Sequence, residues 1–109
     1  MKITKKQTGD FLVLNIEGKI DMSNYISAEA EVVEIINAGN KNIIMNCQEL
    51  EYVSSAGLRV FLTALKKVKA LSGKIAVCHL NDDLQEAFEV SSFASIFKVF
   101  PDLEGALNS

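Results

Sequence analysis

Two adjacent serines, Ser54 and Ser55, stand where an extended segment, Tyr52-Val53, gives way to an amphipathic run that continues to Ser72. A serine just ahead of a first helical turn is favoured because its side-chain oxygen accepts from one of the orphan N–H groups there. One of the pair is therefore expected to cap the helix. Both hydroxyls lie at the positive end of the helix dipole, where a phosphate is favoured whether bound or attached to a serine. Gly57 follows in the first turn, although glycine there is about 1 kcal/mol worse than alanine. A glycine in that place is easiest to understand if something approaches the backbone closely.

Other reactive side chains are few. His79 is the only histidine, so any Ser-His hydrolase chemistry would need it as the base for Ser54 or Ser55, and no GxSxG elbow is present. Cys47 and Cys78 each sit in or beside an apolar run and read as buried free thiols. His79 adjoins Cys78, but without CxxC or HxxxH spacing no metal site is expected. Neither GxxxxGK[ST] nor GxGxxG occurs, so no nucleotide cofactor is expected. A receiver domain would need adjacent carboxylates after its first strand and a phosphoacceptor aspartate after its third. The chain has Glu17-Gly18 and Asn46-Cys47-Gln48 in those regions. An interaction module fits these residues better than an enzyme.

The elements that must position the serines follow from periodicity. Lys2 to Thr8 and Phe11 to Ile16 read as an N-terminal hairpin closed by Thr8-Gly9-Asp10, with the second strand ending at Glu17-Gly18. A first helix buries Tyr25 or Ile26, Ala30, Val33 and Ile36, and Asp21, Ser23 and Asn24 are its candidate caps. Asn42 to Cys47 is a short apolar run suited to a strand covered on both faces. Gln48-Glu49-Leu50-Glu51 reads as a polar loop returning the chain to Tyr52-Val53. In the second helix Leu58, Phe61, Leu62, Leu65 and Val68 form one face, opposite Arg59, Thr63, Lys66 and Lys67. Lys74 to Leu80 is a further strand. Asn81 opens a third helix on Leu84, Ala87 and Phe88, and Pro101-Asp102 opens a fourth on Leu103, Ala106 and Leu107 after a last apolar run from Ile96 to Phe100.

After the hairpin, strands alternate with helices. This predicts an α/β fold over residues 1–109 as one domain: a mainly parallel four- or five-stranded sheet with about four flanking helices. With 49% hydrophobic and 23% charged residues the chain can build a core. No apolar run approaches the ~20 residues that span a bilayer, and no secretory h-region follows Met1, so membrane insertion is not expected and a cytoplasmic location is. The net charge of −3 disfavours direct nucleic-acid binding, although Arg59, Lys66, Lys67, Lys69 and Lys74 form a basic stretch read as a solvated face.

The chain resembles the STAS domain, in particular stand-alone bacterial anti-sigma factor antagonists, over nearly its whole length. Phe11 to Asp21 resembles the family's second strand and Gly-x-[Ile/Leu]-Asp turn. Tyr52-Val53-Ser54-Ser55-Ala56-Gly57-Leu58 resembles its [Phe/Tyr]-[Ile/Met]-[Asp/Ser]-Ser-[Ser/Ala/Thr]-Gly-Leu signature, and Phe93 to Leu107 its closing strand and helix. The resemblance implies a partner-switching regulator whose partners are an anti-sigma factor serine kinase and a PP2C-type phosphatase. It places the phosphoacceptor at Ser55, with Ser54 as the alternative. Asp21, Ser54, Ala56, Gly57, Leu58 and Arg59 are the implied residues near the site or in the partner interface. Ser54 and Asn46 stand where many members have aspartate. The same family also supplies subunits of lipid-transport, transporter and stressosome complexes, which gives the alternative reading.

Overall fold

The computed structural model describes all 109 residues. Its centre is β2 (Phe11–Ile20), whose residues from Phe11 to Leu14 are buried on both faces of the sheet. β1 (Lys2–Thr8) pairs with it antiparallel from Lys2↔Glu17 to Thr8↔Phe11, through a turn in which Gly9 takes φ +60°. On its other side β3 (Asn42–Asn46) runs parallel, followed by β5 (Lys74–Cys78) and β6 (Lys98–Phe100), each parallel to its neighbour. The sheet order is β1-β2-β3-β5-β6, and β4 (Leu50–Val53) joins β2 off this path.

Two helical layers cover the sheet unequally. Leu12, Leu14 and Ile16 of β2, Ile43 and Met45 of β3, and Ile75 and Val77 of β5 face a large core. It is shared with α1 (Tyr25–Asn37), α2 (Ser55–Ala70) and α3 (Asp82–Val90). The intervening residues Phe11, Val13, Ile44, Ala76 and Cys78 point the other way, to a small cluster covered by Ala106 of α4 (Leu103–Leu107). This two-residue alternation, buried on both sides, is why β3 and β5 read as continuous apolar runs.

Three expectations need adjustment. The segment read as a polar loop through Glu51 instead enters a sixth strand, β4, which pairs parallel with the end of β2 at Gly18↔Leu50, Lys19↔Tyr52 and Ile20↔Val53. β2 runs past Gly18, which takes φ +92°, and the register shifts there; Leu50 and Val53 are buried while Glu51 and Tyr52 are exposed. That pattern lacks period two, so the strand gives no periodic signal. In α1 the buried residues are Ala28, Val32, Ile35 and Ile36, and Ile26 is 70% exposed. Two stripes of equal helical spacing exist on that helix, and only contact with the sheet chooses between them. In α2 the inward set is Gly57, Val60, Phe61, Ala64, Leu65 and Val68, with Leu58 and Leu62 half-buried and the helix ending at Ala70.

Phe61 and Phe88 lie edge to face, centroids 5.3 Å apart, and Phe97 packs against both. This cluster joins α2, α3 and the segment before β6. Phe88→Ala empties its centre and is expected to destabilise the protein by about 3–5 kcal/mol, measured as a lower urea midpoint with unchanged slope.

Candidate functional site

Everything at the start of α2 is set by the end of β2. Ser54 N donates to the Ile20 carbonyl at 2.9 Å, extending the β2–β4 pairing to the last residue before the helix. Ser54 itself is extended (φ −79°, ψ 172°), and its Oγ accepts from Gly57 N at 3.1 Å. Ser54 is thus the cap. Ser55 is the first helical residue, and it is exposed.

Gly57 has an internal reason. A Cβ there would lie 2.6 Å from the Ile20 carbonyl oxygen and 2.9 Å from Val53 Cγ1. The close approach that the glycine implied is that of the chain's own strand, not of a ligand. Ala56 and Leu58 are half-buried beside it. Arg59, one turn on, reaches α1, where its Nε lies 3.2 Å from Glu29 Oε2.

Asp21 follows Ile20 directly, so the strand end that holds Ser54 also fixes this carboxylate in the same corner. The hydroxyl and the N–H of Ser23 both donate to its Oδ1, at 2.5 and 2.9 Å. The hydroxyl bond, then the N–H bond and the nearby Lys19 charge, hold its pKa below the ordinary 3.8, so it is ionised at neutral pH. It does not cap α1. The N-cap is Asn24, whose side chain instead accepts from Asp21 N at 3.0 Å and donates to the Lys19 carbonyl at 2.9 Å. Asn24 was expected only as a cap; its brace across the turn needs the bend after Ile20, which spacing does not reveal.

Asn46 ends β3 nearly buried. Its Nδ2 donates to Asn15 Oδ1 at 2.8 Å and its Oδ1 accepts from Gln48 N at 3.2 Å. The amide serves at once as donor to Asn15 and acceptor for Gln48.

The hydrolase arrangement is not assembled. His79 Nε2 accepts from Leu103 N of α4 at 3.3 Å, and α4 covers the sheet face opposite α2. The two cysteines also face opposite sides of the sheet: Cys47 packs in the large core and Cys78 in the small cluster. Burial raises both thiols, Cys78 to about 11 with Asp102 adding to the effect, so neither is a thiolate at neutral pH.

A STAS domain family model matches residues 2–106. BtrV of Bordetella bronchiseptica, assigned provisionally by its name to the anti-sigma factor antagonists, is 33% identical over 106 residues, covering 97% of this chain and 91% of that protein. The anti-sigma-B factor antagonist of Bacillus subtilis is 23% identical over 107 residues, covering 98% and 97%. Among solved structures, the Bacillus cell fate determinant SpoIIAA in its phosphorylated form superposes with a TM-score of 0.73 at 17% identity, covering 98% and 97%.

Gly57→Ala is expected to destabilise by about 1–3 kcal/mol despite the gain in helix propensity, because the new methyl must displace backbone; urea unfolding measures this. Asp21 has a folded pKa below its unfolded value. Its contribution to stability is therefore present above pH 3.8 and lost as pH falls through the lower folded value. A carboxyl NMR titration should place the Asp21 midpoint below 3.8, and Ser23→Ala should raise it.

Proposed function

The chain belongs to the STAS domain family, and from that membership we propose that it is an anti-sigma factor antagonist that works by partner switching, as a regulatory binding protein rather than an enzyme. Unphosphorylated, it binds an anti-sigma factor that is also a serine kinase, and the sigma factor is released. The kinase transfers the γ-phosphoryl group of ATP to Ser55. The Oγ–P bond forms as the bond to ADP breaks, and the hydroxyl proton is lost to a base. Binding then ends, until a PP2C-type phosphatase hydrolyses the phosphoserine to serine and inorganic phosphate.

The observation that carries this proposal is the division of labour between the two hydroxyls. Ser54 Oγ is committed to the Gly57 N–H, whereas Ser55 is exposed at the first position of a sixteen-residue helix. A phosphate on Ser55 adds roughly −1.5 to −2 charges at neutral pH, enough to disrupt a packed protein interface. The helix N-terminus stabilises that charge locally, so the fold survives modification. Asp21 at the adjacent strand end sharpens the contrast by repulsion. Similarity to BtrV along 97% of the chain favours the antagonist over a subunit of a transport or stressosome assembly. The solution of SpoIIAA in phosphorylated and unphosphorylated forms supports the same choice. No helix is long and apolar enough to cross a membrane, and the net charge is −3. A cytoplasmic location without direct nucleic-acid contact is part of the same proposal.

Incubation with the cognate kinase and ATP, followed by phosphosite mapping, should find the phosphate on Ser55. Ser55→Ala should stay bound to the kinase in the presence of ATP, and Ser55→Asp should bind at least tenfold more weakly. Phosphate confined to Ser54 or another residue overturns the acceptor assignment. Co-purification with a permease and ATPase, indifferent to Ser55→Ala, overturns the antagonist reading.

A further inference from the structure

Arg59 stands four residues after Ser55 on α2, and side chains at that spacing are neighbours on a helix surface, with about 5–6 Å between their Cβ atoms. In the unmodified protein its guanidinium is paired with Glu29 of α1 in the one ion pair of the structure. The arginine side chain is 66% exposed, against 23% for the glutamate. An arginine so exposed is held by a single Nε–Oε2 contact and can turn away at small energetic cost. Other charged groups at this corner include Asp21, which is ionised, and two cations that act on it, Lys19 and the Met1 α-ammonium.

On the reading of Ser55 as the phosphoacceptor, we propose that Arg59 is the internal receptor of the phosphate, and that phosphorylation transfers it from Glu29 to the phosphoserine. A phosphate carries up to twice the charge of a carboxylate and offers three acceptor oxygens to a planar fork of N–H donors. Asp21 repels the phosphate from the strand side, a repulsion that Lys19 and the Met1 α-ammonium reduce, and Arg59 is the cation at four-residue spacing on the same helix. The exchange frees the Glu29 carboxylate on the wall of a groove between α1 and α2, otherwise lined by Tyr25, Ile26, Ala30, Val33 and Arg59. It also breaks the ionic link between the two helices. Modification of one residue thereby alters two places on the surface: negative charge appears at the start of α2, and a cation leaves the groove.

The test uses the full chain with phosphoserine introduced at position 55 during translation, so that no kinase is needed. In a ³¹P NMR titration the second ionisation of the phosphate should fall lower with Arg59 present than in Arg59→Gln, by about 0.3 pH unit. In ¹H–¹⁵N spectra, Glu29→Gln should move the Arg59 Nε–H resonance of the unmodified protein and leave that of the phosphorylated protein in place. Equal phosphate titrations in the two proteins, or an Arg59 resonance that still responds to Glu29 after phosphorylation, overturns the exchange. These results are separable from the acceptor assignment, because phosphosite mapping that lands elsewhere defeats that assignment whatever the titration gives.

Discussion

The Ile20 carbonyl is the contact on which the site depends. It accepts from Ser54 N at 2.9 Å, and it lies where a side chain at position 57 would have to go. Glycine alone lets the first turn of α2 come this close, and the resulting contact fixes three things together. The helix begins at Ser55, the Ser54 hydroxyl turns inward to its capping bond, and Asp21, next in the chain after Ile20, is brought to the same corner. A glycine that is unfavourable by local propensity is therefore favoured by packing, since any larger residue would push the helix off the strand.

The arrangement suits a switch that acts by charge and leaves the fold in place. Ser55 contributes nothing to the core, whereas one turn inward Val60, Phe61 and Ala64 are fully buried. A phosphate added outside that layer meets the orphan N–H groups of the helix start, and no buried group loses a partner. Around it the polar side chains are already satisfied: Asp21 by Ser23, Asn46 by Asn15 and Gln48, and Asn81 by its own cap to Leu84 N. No buried side-chain nitrogen or oxygen lacks a hydrogen-bond partner. Arg59, exposed and held by one ion pair, can be redirected without unpacking any of these groups.

The exposed surface divides in a way that matters for recognition. Met22 and Ile26 lie exposed just after Asp21, and Tyr52 is exposed just before Ser54. Apolar side chains thus flank the serine at both chain approaches to the corner, where a new dianion would be most disruptive to a dry contact. Farther down α2, Lys66, Lys67 and Lys69 are exposed without ion-pair partners near the helix C-terminus, where cations complement the dipole. That placement accounts for the basic stretch without a ligand.

Much of this was legible in residue order. Strand and helix alternation, the helix starts at Asn81 and Pro101-Asp102, the serine pair at a helix start and the signature around Gly57 all rest on short-range chemistry, in which a residue and its neighbours within four positions suffice. Three features were not legible, each for the same kind of reason. β4 exists because β2 continues past Gly18 and offers it an edge. α1 turns Ala28, Val32 and Ile35 inward because the sheet lies on that side, although Ile26, Ala30 and Val33 have the same spacing. Ser54 rather than Ser55 caps α2 because Ile20 anchors the Ser54 N–H. Local pattern fixes which elements form, since propensity and capping act over a turn. Which face is buried, and which of two equivalent hydroxyls stays free, depends on partners beyond the reach of a helical turn, more than thirty residues away for Ser54 and Ile20, that only the folded chain brings into contact.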